Sequence, residues 1–328
     1  MVGLPTRGGM RLRKVLVWVG QLVLAVLVIG FVGRSVMSNW GELNALDVTL
    51  HPKPLWIVMA AVTVWFTYAL LIEAWRRILA GWNQHLRFGQ AVPIWCLSNL
   101  GRYLPGKVWS IAGLAVLAQR VGVAGWAAAG SALAMQALAV GTGALVVAIW
   151  APLAAAPTAE ASSVARLLSP VLLVVAALVA FAAVAALVWK PLSRMVTRVT
   201  GPRFELRPLP ASTALMAATV TLASWLAYGV AFWLLARGLF DTGDLTLQVS
   251  IGVFAAGYIV GLLALFAPGG VGMRELVFIS LLGPVMGYDV ALALAVASRL
   301  LLTGTEIGAA LVGLGLNRKK EVIGEPGG

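Results

Sequence analysis

The sequence predicts an all-α polytopic membrane protein, with about six transmembrane helices and two re-entrant broken hairpins arranged as an inverted-topology repeat. Three observations support this prediction. Apolar residues make up 61% of the chain and charged residues 11%, whereas soluble domains average about 45–50% and about 25%. Apolar runs of about 20 residues, the length that spans a bilayer, recur along the whole chain. Two further apolar regions are interrupted by proline and glycine.

Six uninterrupted apolar runs are long enough to cross a membrane. They cover residues 15–33, 55–72, 125–150, 167–189, 212–236 and 289–314. The first run follows a basic N-terminus, is longer than the apolar part of a signal peptide and has no small-residue cleavage site after it, so we expect a retained helix. The chain is therefore expected to be a single transmembrane domain over residues 1–328, with short cytoplasmic tails at 1–13 and 317–328.

The two broken regions cover about 88–119 and about 247–287. The first is interrupted between Asn99 and Lys107, and the second between Ala267 and Glu275. The segments beside each break, about 12–20 residues long, are short for a full span, which favours re-entrant hairpins. The alternative is a full span on either side of each break, with about ten crossings in all.

Basic residues set the expected orientation. With the N-terminus inside, most of the 24 basic residues fall on the cytoplasmic side, as the positive-inside rule requires. We therefore expect a multi-pass protein of the cytoplasmic (inner) membrane with both termini in the cytoplasm. The formal net charge of +12 is then explained by topology and by contact with anionic headgroups, and no nucleic-acid partner is expected.

The order of elements repeats along the chain. Each half consists of a helix, a second helix, a broken hairpin and a third helix, and the first half starts inside whereas the second starts outside. The half-repeats cover about 14–150 and 165–316. Inverted repeats with interrupted segments at matching places are typical of secondary transporters, and the interruptions point to the binding site.

The first interruption carries residues suited to an anion. Pro105 stops a helix and Gly106 allows a sharp turn, and non-helical backbone at membrane depth needs protein or a water-filled cavity around it. A helix beginning there would direct free N–H groups and the Lys107 side chain at a lipid phosphate. Asn99 and Arg102 flank the same break and complete this candidate site. The alternative is that Arg102 and Lys107 are ordinary cytoplasmic flanking charges.

The second interruption is a proline followed by three glycines, which predicts a tight irregular turn. Its turn residues are Pro268, Gly269, Gly270 and Gly272. Arg274 and Glu275 follow inside an apolar run. An arginine at the bilayer centre costs about 2.5–3.5 kcal/mol on insertion scales, so Arg274 indicates a cavity or a partner. That partner is either a lipid phosphate or a static helix–helix ion pair.

The last apolar run contains Arg299 and Glu306. Seven residues make about two helical turns, which places both side chains on one face about 10 Å apart. We expect Glu275 to pair with Arg299 and Glu306 to remain available for a proton or a lipid amine; the alternative is one static network. Gly304 and Gly308 would allow close helix packing.

No catalytic residue, metal site or cofactor is expected. The single cysteine, Cys96, excludes an intrachain disulfide and a Cys-cluster metal site. The only histidines, His51 and His85, fall in expected loops. Asp241 and Asp244 could bind a cation, although a solvated loop is the simpler interpretation.

The motif Pro268-Gly-Gly-Val-Gly-Met-Arg-Glu275, with the later Arg299, resembles the late signature of the lysylphosphatidylglycerol synthase/flippase transmembrane family. Arg102-Tyr-Leu-Pro-Gly-Lys107 resembles the early Pro-Gly motif of that family, and the resemblance covers nearly the whole chain. It implies a polytopic bundle with re-entrant segments that moves an aminoacylated phospholipid between leaflets. The soluble synthase domain of the best-known members has no counterpart in this sequence, so lysyl transfer is not expected.

We therefore expect flippase-like translocation of an anionic or aminoacylated phospholipid, or of a polyprenyl-phosphate-linked glycan. The expected partners are membrane lipids with phosphate headgroups, and an envelope glycosyltransferase or lipid-modifying enzyme could act with the protein. One alternative is a membrane-embedded enzyme acting on a lipid phosphate or glycosyl donor, with Asp241 and Asp244 as its acidic pair. Another is a non-catalytic subunit of a cell-envelope assembly complex.

Overall fold

The computed structural model describes residues 50–103, 109–154, 209–241, 245–264 and 270–323. These residues are mostly helical, with no β-strand among them. The helices of the described residues are α1 (Pro54–Gly81), α2 (Phe88–Asn99), α3 (Trp109–Arg120), α4 (Gly125–Ala154), α5 (Ala211–Leu239), α6 (Leu247–Leu263), α7 (Met273–Met286) and α8 (Tyr288–Ile323). A short 3-10 helix, Leu100–Tyr103, continues from α2.

Four of these helices are long and apolar enough to cross a membrane, namely α1, α4, α5 and α8. They confirm four of the predicted spans, while the runs at 15–33 and 167–189 and the N-terminal tail lie outside the described residues. The last helix extends further than expected. It continues to Ile323, into the segment predicted as a tail, because residues 316–323 contain neither proline nor glycine to end it.

Helices α1 and α5 pack against each other in opposite directions. Gly81, at the end of α1, lies against Thr213 near the start of α5, and Gly238, near the end of α5, lies against Ile57. A β-carbon at either glycine would lie only 3.0–3.2 Å from these side chains. The small residues at both ends therefore set how closely the two helices approach.

The first broken region is a pair of short antiparallel helices, α2 and α3. Ser98 lies beside Gly113, and Gly101 lies against the backbone of Ser110. A β-carbon at Gly101 would lie 2.7 Å from the Ser110 nitrogen, so only glycine fits there. The predicted turn residues Pro105 and Gly106 lie outside the described residues.

The second broken region has the same form in α6 and α7. Gly270 meets Gly261 backbone to backbone, where a β-carbon would lie 2.9 Å from the Gly261 Cα. Gly270 and Gly272 have positive φ angles of 71° and 84°, which glycine adopts without strain. Both belong to the turn predicted from the sequence, whereas Pro268 and Gly269 lie outside the described residues.

Extensive contacts between the helices connect them into a bundle. Besides the contact of α1 with α5, they join α4–α6, α8–α2, α5–α6, α1–α2, α7–α8, α3–α4, α6–α7, α2–α3, α4–α5, α1–α8, α1–α4 and α5–α8. A buried apolar core around Trp75 joins α1 to α2, α3 and α4. Every described helix thus packs on at least two others, and the broken hairpins lie within the bundle.

Candidate functional site

A buried ion pair joins the first broken region to the last helix. Arg102, in the 3-10 helix, places its Nη1 2.7 Å from Oε1 of Glu306. The Tyr103 hydroxyl donates to Oε2 of Glu306 at 2.7 Å and lies 3.1 Å from the Thr303 hydroxyl. Arg102 also reaches the Tyr258 hydroxyl of α6 at 3.5 Å. Glu306 is thus held by an arginine, a protein partner that the sequence analysis did not assign to it.

This ion pair lies near the middle of the membrane-spanning helices. Tyr68, halfway along the 28-residue α1, brings its hydroxyl within 3.4 Å of that of Thr305, the neighbour of Glu306. The Glu306 side chain is only 5% exposed, whereas that of Arg102 is 28% exposed. The arginine is therefore the partner that a molecule outside the protein can reach.

A second ion pair lies between α7 and α8. Nε of Arg299 donates to Oε1 of Glu275 at 2.6 Å, so the contact expected between these residues is present. The other carboxylate oxygen accepts from the Gly272 N–H at 2.8 Å. An acidic residue that reaches back in this way stabilises a helix start. One oxygen of Glu275 therefore holds the second hairpin on the last helix, and the other stabilises the start of α7.

Arg274 has no carboxylate partner among the described residues. It is 8% exposed, and its guanidinium lies between the rings of Phe254 and Phe278, at 4.9 Å and 5.0 Å from their centres. Nη2 donates to the Ser298 hydroxyl at 3.3 Å, while Nε has no hydrogen-bond partner. Cation–π contacts contribute about 0.5–2 kcal/mol but leave the charge in place. Within the described residues, Arg274 is thus a buried cation that no carboxylate contacts directly.

The two arginines are linked through one face of α6. Arg102 contacts Tyr258, the Tyr258 ring lies 6.2 Å from the Phe254 ring, and Phe254 contacts Arg274. Phe254 and Tyr258 are four residues apart and so share a helix face. The residues flanking the two sequence interruptions therefore meet around a shared aromatic wall.

The site also contains tyrosines that the sequence analysis did not identify as site residues. The Tyr68 and Tyr228 rings lie 6.5 Å apart, and Tyr228 stacks on Phe254 at 5.4 Å. Tyr258 completes the group. Tyrosine is normally enriched at membrane interfaces, so tyrosines in the middle of apolar runs were the signal that could have identified these residues.

Other residues named from the sequence fall in different places. Asn99 ends α2 and is half-buried, and Lys107 lies outside the described residues. Gly308 approaches the Trp65 ring, as close packing requires, but Gly304 has open space where a β-carbon would be. The expectation of close packing is therefore wrong at Gly304, because residue spacing alone does not show which side of a helix faces a neighbour.

The remaining charges lie towards the ends of the bundle. Glu73 binds Arg76 and Arg77 on its own helix. The Lys53 ammonium, 3.0 Å from the Asp241 carboxylate, lowers the pKa of Asp241 below its ordinary value. Asp244 lies outside the described residues. Within the described part of the chain, no group of three His, Cys, Asp or Glu residues could hold a metal ion.

A family model for the lysylphosphatidylglycerol synthase TM region matches residues 17–305. The chain belongs to this family. The match contains both broken regions and the polar residues described above except Glu306, which lies one residue beyond it. The chain is thus a multi-pass membrane protein of a lipid-related family, as its apolar helices require. No curated protein matches the chain closely enough to transfer a substrate or a reaction.

Proposed function

We propose that this family member is a flippase-like translocase that moves lipids with a phosphate headgroup across the cytoplasmic membrane. The observation that supports this most strongly is the buried Arg274, which has no carboxylate partner in the part of the chain that the structure describes. Buried charges are normally paired, and an ionisable residue inside the membrane indicates a functional site. A lipid phosphodiester carries the single negative charge that Arg274 lacks, and it would supply the oxygen acceptors for the guanidinium.

The pattern of helix contacts supports two related halves. In this comparison α1 corresponds to α5, α2 to α6, α3 to α7 and α4 to α8. Each extensive contact between two helices then has a counterpart between the corresponding helices. The α4–α6 contact, for example, corresponds to α8–α2, and the α5–α6 contact corresponds to α1–α2. The α1–α5 contact maps onto itself, and these two helices are antiparallel. Halves of opposite orientation require this arrangement. We therefore retain the half-repeats at about 14–150 and 165–316, with both termini cytoplasmic.

Helix lengths support re-entrant hairpins. Helices α2 and α3 each have 12 residues and α7 has 14, which corresponds to about 18–21 Å at 1.5 Å per residue. The hydrocarbon core is about 30 Å thick. Helices of this length would enter and leave from the same side and bring their breaks to the middle of the bundle.

The two arginines would act as successive positions for the phosphate. Arg274 is buried but pairs with no carboxylate of the described residues, whereas Arg102 would bind a phosphate in exchange for Glu306. Both glutamates already bind arginines, which makes a lipid amine the less favoured cargo. We therefore favour an anionic phospholipid or a polyprenyl-phosphate-linked glycan over an aminoacylated phospholipid. Rocking of the halves would expose the phosphate to each side in turn.

A translocation assay in proteoliposomes tests this proposal. The full chain is reconstituted with acyl-labelled phosphatidylglycerol, and label in the outer leaflet is quenched chemically over time. Arg274→Gln should lower the translocation rate about tenfold or more, because a hydrogen bond to a charged group contributes about 1.5–3 kcal/mol.

Arg237→Gln is the matched control. Arg237 also lies over an aromatic ring, that of Trp233 at 5.2 Å, and also has an unpartnered Nε, but it is in the last turn of α5. Its replacement should leave the rate unchanged. Wild-type protein that moves no labelled lipid would contradict the translocase proposal. A rate for Arg274→Gln equal to that of the wild type would contradict the phosphate site.

A further inference from the structure

The Arg102 position is occupied by the protein's own carboxylate. Glu306 Oε1 lies 2.7 Å from Arg102 Nη1, which is the distance at which a phosphate oxygen would bind. Arg102 is the only cation that contacts Glu306 among the described residues. A phosphate that takes Arg102 therefore leaves Glu306 buried without its counter-charge.

We infer that Glu306 is a proton-binding site, and that a lipid phosphate arriving at Arg102 makes Glu306 take up one proton. This inference rests on the proposed function. Two anions and one cation would otherwise share a buried site, and a nearby like charge and burial both favour the neutral form of a carboxyl group. A proton on Glu306 removes the repulsion between its carboxylate and the phosphate.

The groups facing Glu306 make a proton the expected partner. The 3-10 helix supplies Arg102 and the Tyr103 hydroxyl. The other titratable groups of the described residues that interact with Glu306 are Tyr68 of α1, Cys96 of α2 and Tyr228 of α5, and Tyr258 of α6 adjoins Arg102. Helix α7 contributes Glu275 and Arg274, which bind α8 at Arg299 and Ser298, about two turns away from Glu306. None of these can replace Arg102 as the counter-charge.

The exchange is balanced in charge and atoms. The phosphate oxygen replaces Glu306 Oε1 as the acceptor of the Arg102 N–H, and Oε1 takes up a proton from the aqueous phase. When the phosphate moves on to Arg274, Glu306 returns the proton to the aqueous phase and binds Arg102 again. If the site then faces the other side of the membrane, one proton travels with each lipid.

Calorimetry measures this proton directly and does not require transport. Short-chain phosphatidylglycerol, a phosphodiester that does not titrate near neutrality, is bound to the detergent-solubilised full chain at pH 7 in two buffers with different ionisation enthalpies. Arg274→Gln, in which Arg102 is the remaining phosphate position, should take up close to one proton for each lipid bound, and the wild type should take up protons as well. Glu306→Gln should bind the lipid without proton uptake, and Glu306→Asp, which keeps a carboxyl group, should retain the uptake.

Glu73→Gln is the matched control, because Glu73 also binds arginines but lies outside the site, and it should behave as the wild type does. Lipid binding to Arg274→Gln without proton uptake would overturn the inference while leaving the translocase proposal intact. Equal uptake by Glu306→Gln would also overturn it. If Glu306→Gln does not fold, Arg274→Gln decides. Its affinity for the lipid should rise as the pH falls, by up to tenfold per pH unit, and a pH-independent affinity would overturn the inference. A wild type that binds no lipid would contradict the proposed function itself.

Discussion

Two buried glutamate–arginine pairs involve the last helix, and they differ in what they connect. Glu275–Arg299 joins neighbouring helices of the second hairpin and the last span, and a backbone N–H holds the same carboxylate. Glu306–Arg102 joins the last helix to the break of the first hairpin, far away in sequence. The first pair makes one unit rigid, whereas the second crosses between the proposed halves. Only the second would have to open when the halves move.

The two pairs also differ in the exposure of their side chains, and this difference agrees with their proposed roles. Both members of the Glu275–Arg299 pair are nearly buried, with side chains 15% and 13% exposed. In the other pair Glu306 is buried but Arg102 is partly accessible. A pair that is closed on both sides acts as a structural link, and a pair with one accessible arginine can exchange its carboxylate for an outside anion.

The largest effect that we predict for the two pairs is on the stability of the folded protein. Glu275→Ala should destabilise the protein by about 3–5 kcal/mol, because it leaves Arg299 buried without a counter-charge beside the already unpaired Arg274. Glu306→Ala should cost less, since the exposed side of Arg102 can be hydrated. Unfolding of each variant in the same detergent measures the difference.

Glu73→Ala is the reference for an exposed pair in this series and should change stability by at most about 1 kcal/mol. A larger loss for Glu306→Ala than for Glu275→Ala would reverse the assignment of the two pairs. The Arg102 link would then be the structural one.

The sequence predicts the helices and their interruptions well because these depend on local properties. Apolar runs identify α1, α4, α5 and α8, and the glycines of the second interruption have the positive φ angles that a tight turn needs. The Glu275–Arg299 contact was also predictable, because a hairpin must lie next to the helix that follows it closely in sequence.

The Arg102–Glu306 contact could not be derived from the sequence in the same way. It depends on how α2 and the 3-10 helix pack on α8, across most of the chain. The sequence supplied both charges but not their partners, and it left Glu306 free where the structure pairs it. Gly304 shows the same limit, since spacing identifies a small residue but not the neighbour it faces.

The smallest effect concerns the exposed pair between Lys53 and Asp241. The Lys53 hydrogen bond lowers the pKa of Asp241 in the folded protein, so the stabilisation is present above the unfolded value, about pH 4, and is lost as the pH falls through the folded value. Proteolysis of the segment before α1 should increase slightly below about pH 4 in the wild type. Asp241→Asn should lack this pH-dependent increase, and equal pH profiles for the two proteins would show that the pair contributes nothing.

The position of a bound lipid tests the central claim most directly. The protein is purified with its native lipids, the lipids are identified by mass spectrometry, and the complex is imaged at a resolution that shows headgroup phosphates. We predict phosphate density within hydrogen-bond distance of Arg274 or Arg102, beside the aromatic wall of Phe254 and Tyr258. A dry, lipid-free interior with Arg274 sealed by side chains, and phosphates only at the outer surface of the bundle, would contradict the account.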